Sequence, residues 1–154
     1  MISIGDVAPT FDLVDQHGRR VSAVSRAGRR VMLVFLPLAF SGVCGAELEQ
    51  LDADRRLFDA SRTEVLGVTV DSMFALRAWA DAVGSSIRLL SDFWPHGAVA
   101  ARYGAFDTET GRATRTSVAI NEHGRVVEQF STPVDRPRTA EMYRRALARF
   151  DVAS

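Results

Sequence analysis

Six residues in a row, Val31-Met32-Leu33-Val34-Phe35-Leu36, are apolar without alternation, and the run ends at Pro37. A strand with one wet face alternates apolar and polar residues, so this run predicts a strand covered on both faces. Such a strand belongs inside a sheet with helices on either side. Proline closes it, having no N–H to give to a ladder. The apolar stretch reaches only to Phe40 and is interrupted at Pro37, far short of the ~20 residues of a membrane helix, so no span is expected. From about Ser41 the pattern turns helical, with Leu48, Leu51, Leu57 and Phe58 spaced among acidic and Arg residues.

The remaining segments fill out the same architecture. Phe11–Val14 and Arg20–Ser22 flank Asp15-Gln16-His17-Gly18 and predict an N-terminal β-hairpin. Glu64–Val70 repeats the buried-strand signature, and Asp71 or Ser72 caps a helix carrying Phe74, Leu76, Trp79 and Val83 that stops at Gly84. Ile87–Ser91 reads as a strand, Ala98–Tyr103 as a brief helix and Gly104–Arg112 as a loop. Thr116–Ile120 and Arg125–Phe130 flank Asn121-Glu122-His123-Gly124, a second hairpin, and Arg138–Phe150 is an amphipathic terminal helix. The expected fold is an α/β sandwich: a mixed central sheet flanked by helices. A chain of 154 residues, 47% hydrophobic and 25% charged, suits one domain over residues 1–154.

Charge and composition remove several functions. Nineteen basic and nineteen acidic residues balance, which argues against nucleic acid or an anionic membrane as partner. Every cation is Arg, so Schiff-base and P-loop lysine chemistry are excluded. His17, His96 and His123 are far apart without ligand spacing, and no metal site is expected. No GxGxxG, GxxxxGK or GxSxG occurs, leaving no nucleotide-cofactor site or hydrolase elbow. The start MISIGDVAPTFDL has no basic segment followed by an apolar one, so the cytoplasm is the expected location.

A lone cysteine, Cys44, follows the buried strand and falls in the first turn of the next helix. Unpaired N–H groups and the helix dipole at that place favour a thiolate over a thiol. By itself, a single Cys equally describes a small buried hydrophobe. Ser41, three residues earlier, suits an N-cap whose hydroxyl either caps the helix or faces the sulfur. Pro37 either only ends the strand or shapes the turn beside the thiol. Phe40, Trp79, Phe93 and Trp94 are either core aromatics or apolar walls of a site.

The spacing Pro37-x-x-x-Ser41-x-x-Cys44 matches the Pro-x-x-x-(Thr/Ser)-x-x-Cys signature of peroxiredoxins. PLAFSGVCGAELEQL and SDFWPHGAVAARYG resemble the one-cysteine alkyl hydroperoxide reductase E type, and the likeness runs from GDVAPTFDL to the last hairpin. The resemblance implies a thioredoxin-like (peroxiredoxin) fold with an N-terminal extension. It also implies reduction of hydrogen peroxide, organic hydroperoxides and peroxynitrite through a sulfenic acid on Cys44. Arg115, preferred over Arg112 because it adjoins a buried strand, takes the place of the family's arginine beside the sulfur. Glu47 matches an acidic position that orients this arginine, and otherwise suits the helix dipole.

In the same reading, Ser41 and the N–H groups near Val43 and Cys44 hold the peroxide, Pro37 shields the sulfur, and Val43, Glu47 and Phe40 border the substrate. No cofactor is implied. With no second Cys, regeneration falls to an external thiol: mycoredoxin with a low-molecular-weight thiol, or a glutaredoxin or thioredoxin. A homodimer is expected. Ser41 stands where Thr is commoner, which removes a methyl group and frees the hydroxyl's rotamer. A different class remains open at this stage, a thioredoxin-like binding or chaperone module in which Cys44 is inert.

Overall fold

The structure, a computed structural model, describes residues 2–153. In chain order the elements are β1 (Asp12–Asp15), β2 (Arg20–Ser22), a 3-10 turn (Val24–Arg26), β3 (Arg30–Phe35), α1 (Gly42–Ala53), α2 (Arg55–Ala60), β4 (Thr63–Thr69), α3 (Met73–Val83) and β5 (Arg88–Ser91). Then follow α4 (Ala98–Arg102), β6 (Phe106–Asp107), β7 (Arg112–Ala113), β8 (Arg115–Ile120), β9 (Val126–Thr132) and α5 (Ala140–Ala153). Seven strands form one mixed sheet in the order β2-β1-β5-β4-β3-β8-β9. β3 lies inside it, parallel to β4 and antiparallel to β8.

The unalternated run in β3 is explained by two cores. Met32, Val34 and Leu36 face a cluster built with Leu48 and Leu51 of α1, Phe58 of α2, Leu76 and Trp79 of α3, and Leu147 and Phe150 of α5. Val31, Leu33 and Phe35 face the opposite cluster, with Phe11, Val99 and Ala100 of α4, and Tyr103. Helices therefore cover both faces unequally, the longer ones together on one side. No helix among the described residues is long and apolar enough to cross a membrane.

Several boundaries differ from the sequence reading. The long helix expected after Ser41 breaks at Asp54 into α1 and α2. The Gly104–Arg112 segment is no plain loop, since β6 pairs with β7 in a two-stranded ribbon. The terminal helix starts at Ala140 rather than Arg138. Thr139 explains the late start: its hydroxyl accepts from the Met142 N–H at 3.3 Å and its carbonyl from the Tyr143 N–H. Ser72 caps α3 as expected, accepting from the Ala75 N–H. Asn121 turns the β8–β9 hairpin by accepting from the N–H groups of His123 and Arg125, both at 3.0 Å.

Asp92 anchors α4 by accepting from the N–H groups of Val99 and Ala100. Burial raises its carboxyl above the ordinary range, and these hydrogen bonds offset that only in part. Gly97, at the head of α4, has φ +69°, and a Cβ there would sit 2.2 Å from the Phe106 ring. Gly97→Ala is expected to destabilise the protein by about 2–4 kcal/mol, combining left-handed strain with overpacking. Urea unfolding reads this as a lower midpoint at unchanged slope.

Candidate active site

Register brings the two halves of the site together. Val34 of β3 pairs with Ser117 of β8 in antiparallel sense, so the end of β3 lies beside the start of β8, where Arg115 stands. The chain leaves β3 through Pro37 and re-enters helical geometry at Gly42, which sets Cys44 in the first turn of α1 at the same end. The intervening turn is tied down: the Ala39 N–H donates to Asp71 Oδ2 at 2.8 Å, and Ser91 Oγ donates to the Asp71 carbonyl at 2.6 Å. Gly45 makes the first intrahelical bond, to the Ser41 carbonyl, so the N–H groups of Gly42, Val43 and Cys44 precede the ladder.

Cys44 is fully buried, yet its surroundings are not merely apolar. Arg115 Nη1 donates to its sulfur at 3.3 Å, and the same nitrogen donates to Glu47 Oε1 at 2.5 Å. Arg115 Nε donates to the Val134 carbonyl, which fixes the guanidinium plane. Glu47, one turn along α1 from Cys44, is 4% exposed. A second arginine completes the cluster: Arg138 gives Nε and its backbone N–H to Glu47 Oε2, and Nη2 to Oε1, at 2.8–2.9 Å. Its Nη1 donates to Ser117 Oγ, which shares a hydrogen bond with the Tyr143 hydroxyl.

Burial by itself would push the Glu47 carboxyl up, but hydrogen bonds and charge from Arg138, then the charge of Arg115, hold it below the usual carboxylate range. Arg138 moves the opposite way to its own burial: interactions with Tyr143, Glu47 and Cys44 raise it and keep it charged. Burial also keeps Tyr143 protonated.

The expected residues divide as follows. Cys44, Glu47 and Arg115 meet in one buried cluster, with Pro37 buried in the turn beyond β3. Arg112 sits in β7 rather than against the sulfur. Ser41 occupies the N-cap position, but its hydroxyl does not cap: it donates to the Leu38 carbonyl at 2.9 Å, stiffening the turn instead. Val43 is half-buried. Phe40 adopts φ +66° and is 60% exposed, so it projects from the turn rather than lining an enclosed wall. Trp79 is core, whereas Phe93 and Trp94 are exposed. Arg138 was missed by the sequence reading. The pattern places it only as the first residue of the terminal helix, and nothing local marks an Arg that pairs with Glu47 91 positions away.

The cluster is a thiol pressed against a buried guanidinium at the head of a helix, carried on this sheet. Inert packing of Cys44 does not account for an arginine donating to its sulfur. The sequence profile described as the AhpC/TSA family matches residues 4–129, and the chain belongs to that family, as a peroxiredoxin of the alkyl hydroperoxide reductase E type. It is 38% identical over 125 residues to alkyl hydroperoxide reductase E of Mycobacterium tuberculosis, covering 80% of this chain and 82% of that protein. Among solved structures, Enterococcus faecalis AhpC superposes with a TM-score of 0.89 at 27% identity, covering 99% of this chain and 95% of that one. The reduced 2-Cys peroxiredoxin of Plasmodium vivax gives 0.85 at 26% identity, covering 96% and 81%. The chain is a thiol-dependent peroxidase with a single cysteine.

Glu47→Gln is expected to cost about 3–5 kcal/mol, because two buried guanidinium groups lose their carboxylate. A carboxyl lowered by folding stabilises above its ordinary value of 4.5 and loses that contribution as pH falls through the folded-state value. Unfolding midpoints measured from pH 7 to pH 3 should therefore fall more steeply for the wild type than for the Gln variant.

Proposed function

We propose that Cys44 is the peroxidatic nucleophile and that Arg115 is its electrostatic partner. The single observation that carries this reading is the 3.3 Å contact from Arg115 Nη1 to Cys44 Sγ inside a closed site. A sulfur lone pair attacks the terminal peroxide oxygen, the O–O bond breaks, and the departing oxygen takes a proton to leave as water or an alcohol. Sulfur is oxidised to a sulfenic acid and the peroxide is reduced. Arg115 stabilises the charge that develops on the leaving oxygen. The N–H groups of Val43 and Cys44 point along the helix start toward the same oxygen pair.

Ser41 and Pro37 act through the turn. Ser41 holds it closed by its bond to Leu38, and its hydroxyl is the group we assign to hydrogen-bond the peroxide. Pro37, buried at the end of β3, keeps water from the sulfur. Glu47 orients Arg115, and Phe40 borders the entrance from its exposed position. Hydrogen peroxide and organic hydroperoxides are the substrates, with peroxynitrite a third oxidant of the same O–O chemistry.

With one thiol in the chain, the sulfenic acid condenses with an external thiol and a second thiol releases it. Mycoredoxin with a low-molecular-weight thiol is the reductant we favour over glutaredoxin or thioredoxin. A cytoplasmic setting, where such thiols stay reduced, suits this cycle. We take residues 1–154 to act as one domain and the working unit to be a homodimer. Phe74, Phe93 and Trp94, exposed by 75%, 53% and 80%, border a cavity of about 450 Å³ and form the apolar face that a second copy would cover.

Three outcomes follow. One equivalent of hydrogen peroxide should add about 16 Da, one oxygen, to the reduced protein, and Cys44→Ser should show neither that gain nor turnover. Arg115→Ala should slow peroxide attack about 10²–10³-fold in stopped-flow. Trp94→Glu should sediment as a monomer where the wild type sediments as a dimer.

A further inference from the structure

At the end of the sheet away from Cys44 lies a cavity of about 330 Å³ between the N-terminal segment, the 3-10 turn and the β8–β9 hairpin. Its floor is set by register: Val31 pairs with Ile120, and both side chains belong to the core cluster on that face, as does Phe11. The roof is the segment Val7–Thr10, pinned by the Ala8 N–H to the Gly124 carbonyl at 2.8 Å and by the Tyr103 hydroxyl to the Pro9 carbonyl at 2.6 Å. The walls are therefore apolar and held in place, and the volume is within the range of small-molecule sites.

Its lining carries donors on Arg26, Arg29 and Asn121 and one carboxylate, Glu122. Asn121 is 4% exposed, and its Oδ1 is used twice by the turn, which leaves Nδ2 without a partner among the described residues. That amide lines the cavity. Arg29, at the rim, is exposed and makes no side-chain ion pair or hydrogen bond among the described residues. The other charges there stand in ion pairs, Arg26 with Glu64 at 2.7 Å and Glu122 Oε2 with Arg30 at 3.1 Å, while Glu122 Oε1 is buried with no hydrogen-bond partner among the described residues. One uncompensated guanidinium and one buried amide N–H thus face an apolar chamber.

We infer that this cavity binds a small amphipathic monocarboxylate, its apolar tail against Phe11, Val31 and Ile120 and its carboxylate on Arg29 and Asn121 Nδ2. An unmatched cation and an unmatched donor select an anionic acceptor, and the apolar walls select a tail of medium length. The site is independent of the thiol chemistry, because Val31 and Ile120 lie at the opposite end of β3 and β8 from Arg115.

Calorimetric titration of the reduced protein with decanoate, decanol and acetate tests this, with amide NMR locating the response. Decanoate should saturate below about 1 mM, with decanol and acetate at least about tenfold weaker. Shifts should fall on Ala8, Asn121 and Gly124. Arg29→Ala, an exposed change that leaves packing intact, should weaken decanoate about tenfold or more while peroxide turnover stays unchanged. Ala23→Phe, which fills the chamber, should abolish binding. Failure of decanoate to saturate, equal affinity for decanol, indifference to Arg29→Ala, or shifts confined to Phe74 and Trp94 would overturn the assignment. So would self-association through this cleft in sedimentation.

Discussion

Two guanidinium groups and one carboxylate share a closed space at the end of β3, and that imbalance governs the site. Arg115 and Arg138 both bond to Glu47, leaving one positive charge without a buried counter-ion. Isolated charge in such a place is expensive. Cys44 shares that closed space, its sulfur accepting from Arg115 Nη1. Glu47 has a double part, fixing both arginines while being too few to neutralise them.

The scaffold exists to hold these groups in register. Glu47 and Cys44 are presented by consecutive turns of α1, Arg115 by the first residue of β8, and Arg138 by the stretch before α5. Elements far apart in sequence meet because β3 pairs in parallel with β4 and antiparallel with β8, which puts the β3 exit and the β8 entry at one end. Tyr143 closes the back of the cluster through Ser117, stacking edge-on against Phe58 and Phe130.

What the sequence made legible follows the range of each interaction. The β3 run, the Ser72 cap and the Asn121 turn depend on neighbours within a few positions, and all were readable. Cys44, Ser41 and Pro37 were found by spacing, and Arg115 by resemblance to a family. Arg138 was not found, since its meaning comes from a carboxylate 91 positions away. Ser41 takes the N-cap position as read, but its hydroxyl makes no cap bond. A hydroxyl at an N-cap can donate backward as easily as accept forward, and the Leu38 carbonyl won. Phe40 was left open between a core aromatic and an apolar wall, and the left-handed backbone at that residue turns it to solvent.

The enclosure of Cys44 has a consequence for the second half of the catalytic cycle. A peroxide is far smaller than a redoxin, and a mixed disulfide demands that two sulfurs approach to about 2.05 Å. A redoxin carrying its own thiol has far more bulk to bring that close. On the proposed cycle, a bulky thiol donor therefore meets the sulfur only when the first turn of α1 opens, because Cys44 is fully enclosed in the folded chain.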